Sequence, residues 1–194
     1  MRPREPLLTR FFPSLERLNQ YTLSLDSLAH PPVCSKCHQC GHFVSHGFIY
    51  RKRPHGAPQP VGKRIYCSNR CQRKGCGGTR RLYLADILPL LRLTTTQVFG
   101  FVLKWVSGDT LENAYLASTG ALDARNAHRW VRKLALRQAD YRRTLPFCPE
   151  SDPAPSPGRC SHAALVSVLA RLIRVFHDGN ACASWQLTRQ LAFI

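Results

Sequence analysis

At 194 residues the chain can enclose one medium core or two small ones, and 44% hydrophobic with 20% charged residues is the composition of a folded protein. Twenty-eight Lys and Arg against eleven Asp and Glu leave a net charge of +17. Such an excess gathers polyanions, of which nucleic acid is the one expected. The longest apolar stretch, residues 163–176, is too short to cross a bilayer and carries Arg171 and Arg174. The opening residues contain no signal-peptide core, so no membrane partner is expected. A cytoplasmic, nucleoid-associated location follows, where the nine cysteines stay reduced.

The predicted elements run in five segments. Residues 1–33 form a helical lead, with Ser14 as N-cap and Leu15, Leu18, Tyr21 and Leu25 at helical spacing, stopped by Pro31-Pro32. Residues 34–81 hold six of the nine cysteines. Phe43–Tyr50 alternates as a strand, 54–62 reads as a turn, and Lys63–Tyr66 returns as a second strand. Knuckle, strand, turn, strand and knuckle describe a zinc ribbon, in which a Zn2+ ion substitutes for a core too small to stand alone. Residues 82–145 read as helical, 146–160 as a Pro-rich linker, and 161–194 as a C-terminal helix with a short tail. The expected fold class is therefore mostly α with a small β zinc ribbon, followed by a helix-turn-helix-like domain.

Six cysteines compete for one tetrahedral site. The preferred set is Cys37, Cys40, Cys67 and Cys76, because Gly41 directly follows the Cys37-x-x-Cys40 pair and frees the backbone to turn toward the thiolates. Cys34 in place of Cys40, and Cys71 in place of Cys67, are the alternatives. Cys148, Cys160 and Cys182 stand singly and are expected to pack.

In the helical segment Thr94 or Thr95 caps a helix whose apolar face is Val98, Phe101, Val102, Trp105 and Val106, ended by Gly108. Thr110 caps a short second helix broken by Gly120, and Asp123 caps a long third one reaching Leu145. Three such helices suit a helix-turn-helix, with Arg125, Asn126, Arg129 and His128 toward the bases. Arg132, Lys133 and Arg137 would then meet phosphates. The ribbon adds ten Lys or Arg with no acid between Arg51 and Arg81. They are Arg51, Lys52, Arg53, Lys63, Arg64, Arg70, Arg73, Lys74, Arg80 and Arg81. Four thiolates on one zinc ion leave a local charge near −2, which absorbs only part of that excess. Tyr50 and Tyr66 are candidates for stacking on bases, with inward packing the favoured role for Tyr66. The last helix, with Leu165, Val168, Leu169, Leu172, Ile173 and Phe176, either packs on the helical segment or serves self-association.

Cys37-x-x-Cys40-Gly41, Val44-Ser-His46-Gly47, Arg64-Ile-Tyr-Cys67 and Gly75-Cys76-Gly-Gly-Thr79 together resemble the N-terminal zinc ribbons of bacterial insertion-sequence transposases. The closest likeness is to small transposon-associated proteins made of such a ribbon and a helical region. The resemblance implies DNA binding in a mobile element, by end recognition or in support of a transposase supplied elsewhere. Cutting and joining DNA needs a set of metal-binding carboxylates, and the scattered acids Asp86, Asp109, Glu112, Asp123 and Asp140 do not form one. No catalysis by this chain alone is expected. The competing readings are an RNA- or ribosome-associated ribbon and a truncated transposase.

Overall fold

The computed structural model describes residues 10–52, 56–89, 91, 93–145, 162–177 and 179–194. The chain divides into two compact units, with the boundary after Ala85.

The first unit is an α/β arrangement. Its four strands are β1 (Phe11–Phe12), β2 (Phe43–Arg51), β3 (Gln59–Cys67) and β4 (Thr79–Leu84), in the sheet order β1-β4-β3-β2. β2–β3 and β3–β4 are antiparallel, and β1 runs parallel to β4. Helix α1 (Leu15–Leu23) starts at Ser14, whose hydroxyl accepts the N–H of Arg17. Leu18 of α1 joins Phe12, Leu25, Phe43, Ile65 and Leu82 in a small core that also contains Cys34 and Cys67. Alternation explains the sheet: Lys63, Ile65 and Cys67 are buried, while Arg64 between them is exposed. Gly62 is required in β3, since a Cβ there would lie 2.2 Å from the Leu82 carbonyl oxygen of β4.

Two strands were not anticipated. β4 extends into the segment read as helical, and β1 recruits the chain before α1, so the architecture is mixed α/β rather than mostly α. Arg80 and Arg81 break the apolar run of β4, which hides its strand pattern from a hydropathy reading.

The second unit is helical: α2 (Thr95–Val106), α3 (Leu111–Thr119), α4 (Ala127–Leu136), α5 (Gln138–Arg142), α6 (His162–Val175) and α7 (Ala181–Arg189). Thr94 and Gln97 form a reciprocal capping box on α2, and Thr110 caps α3. The expected long third helix is instead two. Asp123 makes a local turn by accepting the N–H of Arg125, α4 begins four residues later, and the chain breaks at Arg137 between α4 and α5. The expected short tail contains α7, started by Asn180, whose side chain accepts the N–H groups of Cys182 and Ala183.

One apolar core runs through this unit. Phe101, Tyr115 and Trp130 pack edge to face at 4.9–6.3 Å, and Tyr141, Trp185 and Phe193 form a second aromatic group at 5.0–5.5 Å. Leu165, Val168, Leu169 and Leu172 of α6 are buried in the same core, as is Cys182. The α6 face that could have served self-association is thus already covered. The Pro-rich segment, Cys148 and Cys160 lie outside the described residues. None of the described helices is long and apolar enough to cross a membrane.

Candidate metal centre

Cys34, Cys37, Cys67 and Cys76 bring their four sulfurs within 4.8 Å of one another. Cys34 and Cys76 are 3.8 Å apart, and Cys37 and Cys67 3.7 Å. These separations are far too long for disulfides, and all four are free thiols. A tetrahedral ion with metal–sulfur bonds of about 2.3 Å has sulfur–sulfur edges of about 3.8 Å, so the cluster has the dimensions of a tetrathiolate metal site.

Two loops of different length build it with one hydrogen-bond pattern. In the first, the N–H of His38 donates to the Cys34 carbonyl at 2.8 Å, and the Cys34 N–H donates to Gln39 at 2.9 Å. In the second, the N–H of Gly77 donates to the Cys67 carbonyl at 2.9 Å, and the Cys67 N–H donates to Gly78 at 2.8 Å. Each bond joins the same relative positions, counted from the second cysteine of each loop. His38 and Gly77 are both left-handed, with φ of 57° and 73°. Cys34 therefore corresponds to Cys67, and Cys37 to Cys76. The extra residues of the second loop are pinched off where the Gly75 N–H donates to Ser68 at 2.8 Å. A Cβ on Gly75 would stand 2.3 Å from the Ser68 carbonyl oxygen, so the pinch requires glycine.

This geometry replaces Cys40 in the expected ligand set by Cys34. Cys40 is exposed and bridges to Val33 just outside the knuckle, while Cys71 sits exposed at the tip of the extra loop. Gly41 is left-handed too, with φ of 71°, but the left-handed residue that closes the knuckle is His38, an uncommon residue at positive φ. Cys37, Cys67 and Cys76 occupy the expected positions.

Burial and backbone donors set the protonation of the buried pair. Burial raises the Cys34 thiol, but the N–H groups of Lys36 and Cys37 and the neighbouring thiols outweigh it and hold it at about 6. Cys67 is pushed up to about 12, first by burial and then by the Cys37 and Cys34 sulfurs, against one N–H from Cys76. Four adjacent thiols cannot all ionise unless a cation neutralises them.

The basic residues expected to meet nucleic acid have varied surroundings. Lys63 is buried, donates to the Thr22 hydroxyl at 2.9 Å and lies 4.8 Å over the Phe48 ring, so it is withdrawn from any ligand. Arg73 makes a two-bond ion pair with Asp26 at 2.8 and 2.9 Å and donates to Gly41, clamping the extra loop to the first knuckle. Arg80 donates to Ser35 at 2.7 Å. Arg51 is half-buried. Lys52, Arg64, Arg70, Lys74 and Arg81 are exposed, and Arg53 lies outside the described residues. In the helical unit Arg125 pairs with Asp123 and Arg137 with Asp140, while Asn126, Arg129 and Arg132 are exposed and Lys133 is half-buried. Seven residues, 120–126, connect α3 to α4. A helix-turn-helix uses three or four, so its tight turn is absent here.

Comparison with protein-family models, with curated proteins and with solved structures finds no match for this chain. The geometry of the chain itself therefore carries the functional argument.

Single Cys→Ser variants separate ligands from bystanders. Cys34→Ser, Cys37→Ser, Cys67→Ser and Cys76→Ser are each expected to lower bound metal, measured by inductively coupled plasma mass spectrometry, well below one per chain. Cys40→Ser and Cys71→Ser should retain it; loss at Cys40 with retention at Cys34 would overturn the assignment. A pH titration gives a second check. Cys34, held at about 6, is a thiolate above that value, so its contribution is present above its ordinary range and lost as pH falls through about 6. Metal affinity measured against a chelator should therefore steepen in its decline below about pH 6, and a pH-independent affinity would contradict the ligand role.

Proposed function

We propose that this protein is a zinc-stabilised DNA-binding protein, in which the four-cysteine centre holds the first unit together and the surrounding cations make the contacts. Four thiols on a tetrahedral plan suit Zn2+, which needs no redox partner and tolerates a closed sulfur shell. The carrying observation is the imbalance of charge in the first unit. From Arg10 to Ala85 the chain has thirteen Lys or Arg and two acids, Glu16 and Asp26. Asp26 is engaged by Arg73, which holds its carboxyl below the usual range through hydrogen bonding. A tetrathiolate zinc site with net charge near −2 still leaves a large positive excess. Lys36, Lys52, Arg64, Arg70, Lys74 and Arg81 are exposed and form no ion pair with described residues. Phosphates are the partners that release counterions on meeting such a surface.

Binding is the activity proposed. Among the described residues the four cysteines form the one group able to hold a metal ion. Asp123, Asp140 and Glu112 are each paired with a neighbouring basic side chain. In the second unit Arg129 and Arg132 on α4 offer a further cationic surface, opposite the buried Trp130, Val131 and Leu134. Service to a mobile element rests on the motif resemblance alone.

Fluorescence anisotropy with labelled duplex DNA tests the reading. Binding should weaken about a hundredfold or more between 50 and 200 mM salt, as expected for several neutralised phosphates. Salt-insensitive binding, or tighter and salt-resistant binding to structured RNA, would overturn it.

A further inference from the structure

β3 turns its alternate side chains to different surroundings. Lys63, Ile65 and Cys67 are buried on the side of α1, whereas Arg64 and Tyr66 lie on the opposite face. The register places Val44 of β2 and Thr79 of β4 on either side of Tyr66, and sets Arg81 directly across from Arg64. A bulge in β2 at His46-Gly47, where Gly47 has φ of 100°, brings the His46 ring to 5.9 Å from that of Tyr66. The Tyr66 hydroxyl donates to Asn69, which fixes the ring.

Two arginines opposed on neighbouring strands repel each other. The side chains of Arg64 and Arg81 make no hydrogen bond or ion pair with any described residue. The two acids among the described residues of the unit are elsewhere: Glu16 belongs to α1 on the other side of the sheet, and Asp26 is held by Arg73. The face is therefore aromatic and cationic and supplies no anion of its own.

We propose that this face binds single-stranded DNA, with bases stacked on Tyr66 and His46 and the phosphate backbone passing Arg64 and Arg81. The proposal rests on the DNA-binding reading and narrows it to an unpaired strand at a named surface. A duplex fits poorly. Its major groove admits a helix or a two-stranded ribbon, while these residues spread over the three strands β2, β3 and β4. Stacking also needs a base face, which a paired base does not offer to a flat sheet. The fixed Tyr66 ring loses little freedom on binding, and the arginine pair gains a neutralising partner.

The test uses the full-length, metal-loaded protein and a labelled oligothymidylate of about ten nucleotides, within the usual site size, beside a duplex probe. Arg64→Gln/Arg81→Gln should weaken oligothymidylate binding about tenfold or more and lower the salt slope by about two. Tyr66→Leu/His46→Ala should weaken it about tenfold or more and leave the slope unchanged. Arg17→Gln, which removes a charge from α1 on the other side, should bind as wild type. Metal content and melting temperature report folding; if Tyr66→Leu fails to fold, His46→Ala alone should still weaken binding and Tyr66→Phe should preserve it. Wild-type oligothymidylate affinity in both double variants would overturn the proposal, as would tighter binding of oligouridylate. If duplex binding with its salt dependence persists while the single strand does not bind, the face assignment fails and the DNA-binding reading stands. If neither probe binds, both fail.

Discussion

Four cysteine sulfurs from two separate loops share a space 4.8 Å across at one end of a small sheet. Sulfurs so placed repel when ionised and lose solvation when buried, and a cation among them would remove both penalties. The core they adjoin is slight. Phe12, Leu18, Leu25, Phe43, Ile65 and Leu82 are its buried members, and Cys34 and Cys67 are counted within the same cluster. The four cysteines and the core are thus the same piece of structure, so the energy of binding an ion at the centre would be folding energy for the unit.

The sheet meets this centre at the end of β3. Cys67 ends β3 and pairs with Phe43 at the start of β2, so the second knuckle continues directly from the hairpin. The Arg73–Asp26 ion pair then ties the extra loop to the segment after α1, and Lys63 is drawn inward to Thr22. What remains outside is a surface of arginine and lysine nearly free of acid. The helical unit is built on another principle, aromatic and aliphatic burial, and carries its own exposed arginines on α4.

Some of this was legible in the residues. Ser14, Thr94 and Thr110 mark helix starts because their hydroxyls satisfy N–H groups that the helix leaves unpaired. The β2–β3 hairpin follows from alternation, and three of the four clustered cysteines from their places in the two cysteine-rich loops. Other features depend on tertiary structure. Whether Cys34 or Cys40 completes the site turns on the backbone at His38, which is left-handed as Gly41 is but lacks the glycine that would mark it in the sequence. The break at Arg137 carries neither glycine nor proline, so the apolar spacing continues across it unmarked. Lys63 and Arg73 look like free charges in a basic run, and only the fold shows them engaged.

The central claim is that Cys34, Cys37, Cys67 and Cys76 together hold one ion. X-ray absorption at the metal edge of the purified full-length protein tests it most directly. The structure calls for a single shell of four sulfurs at about 2.3 Å. A shell containing nitrogen or oxygen, or fewer than four sulfurs, would contradict it.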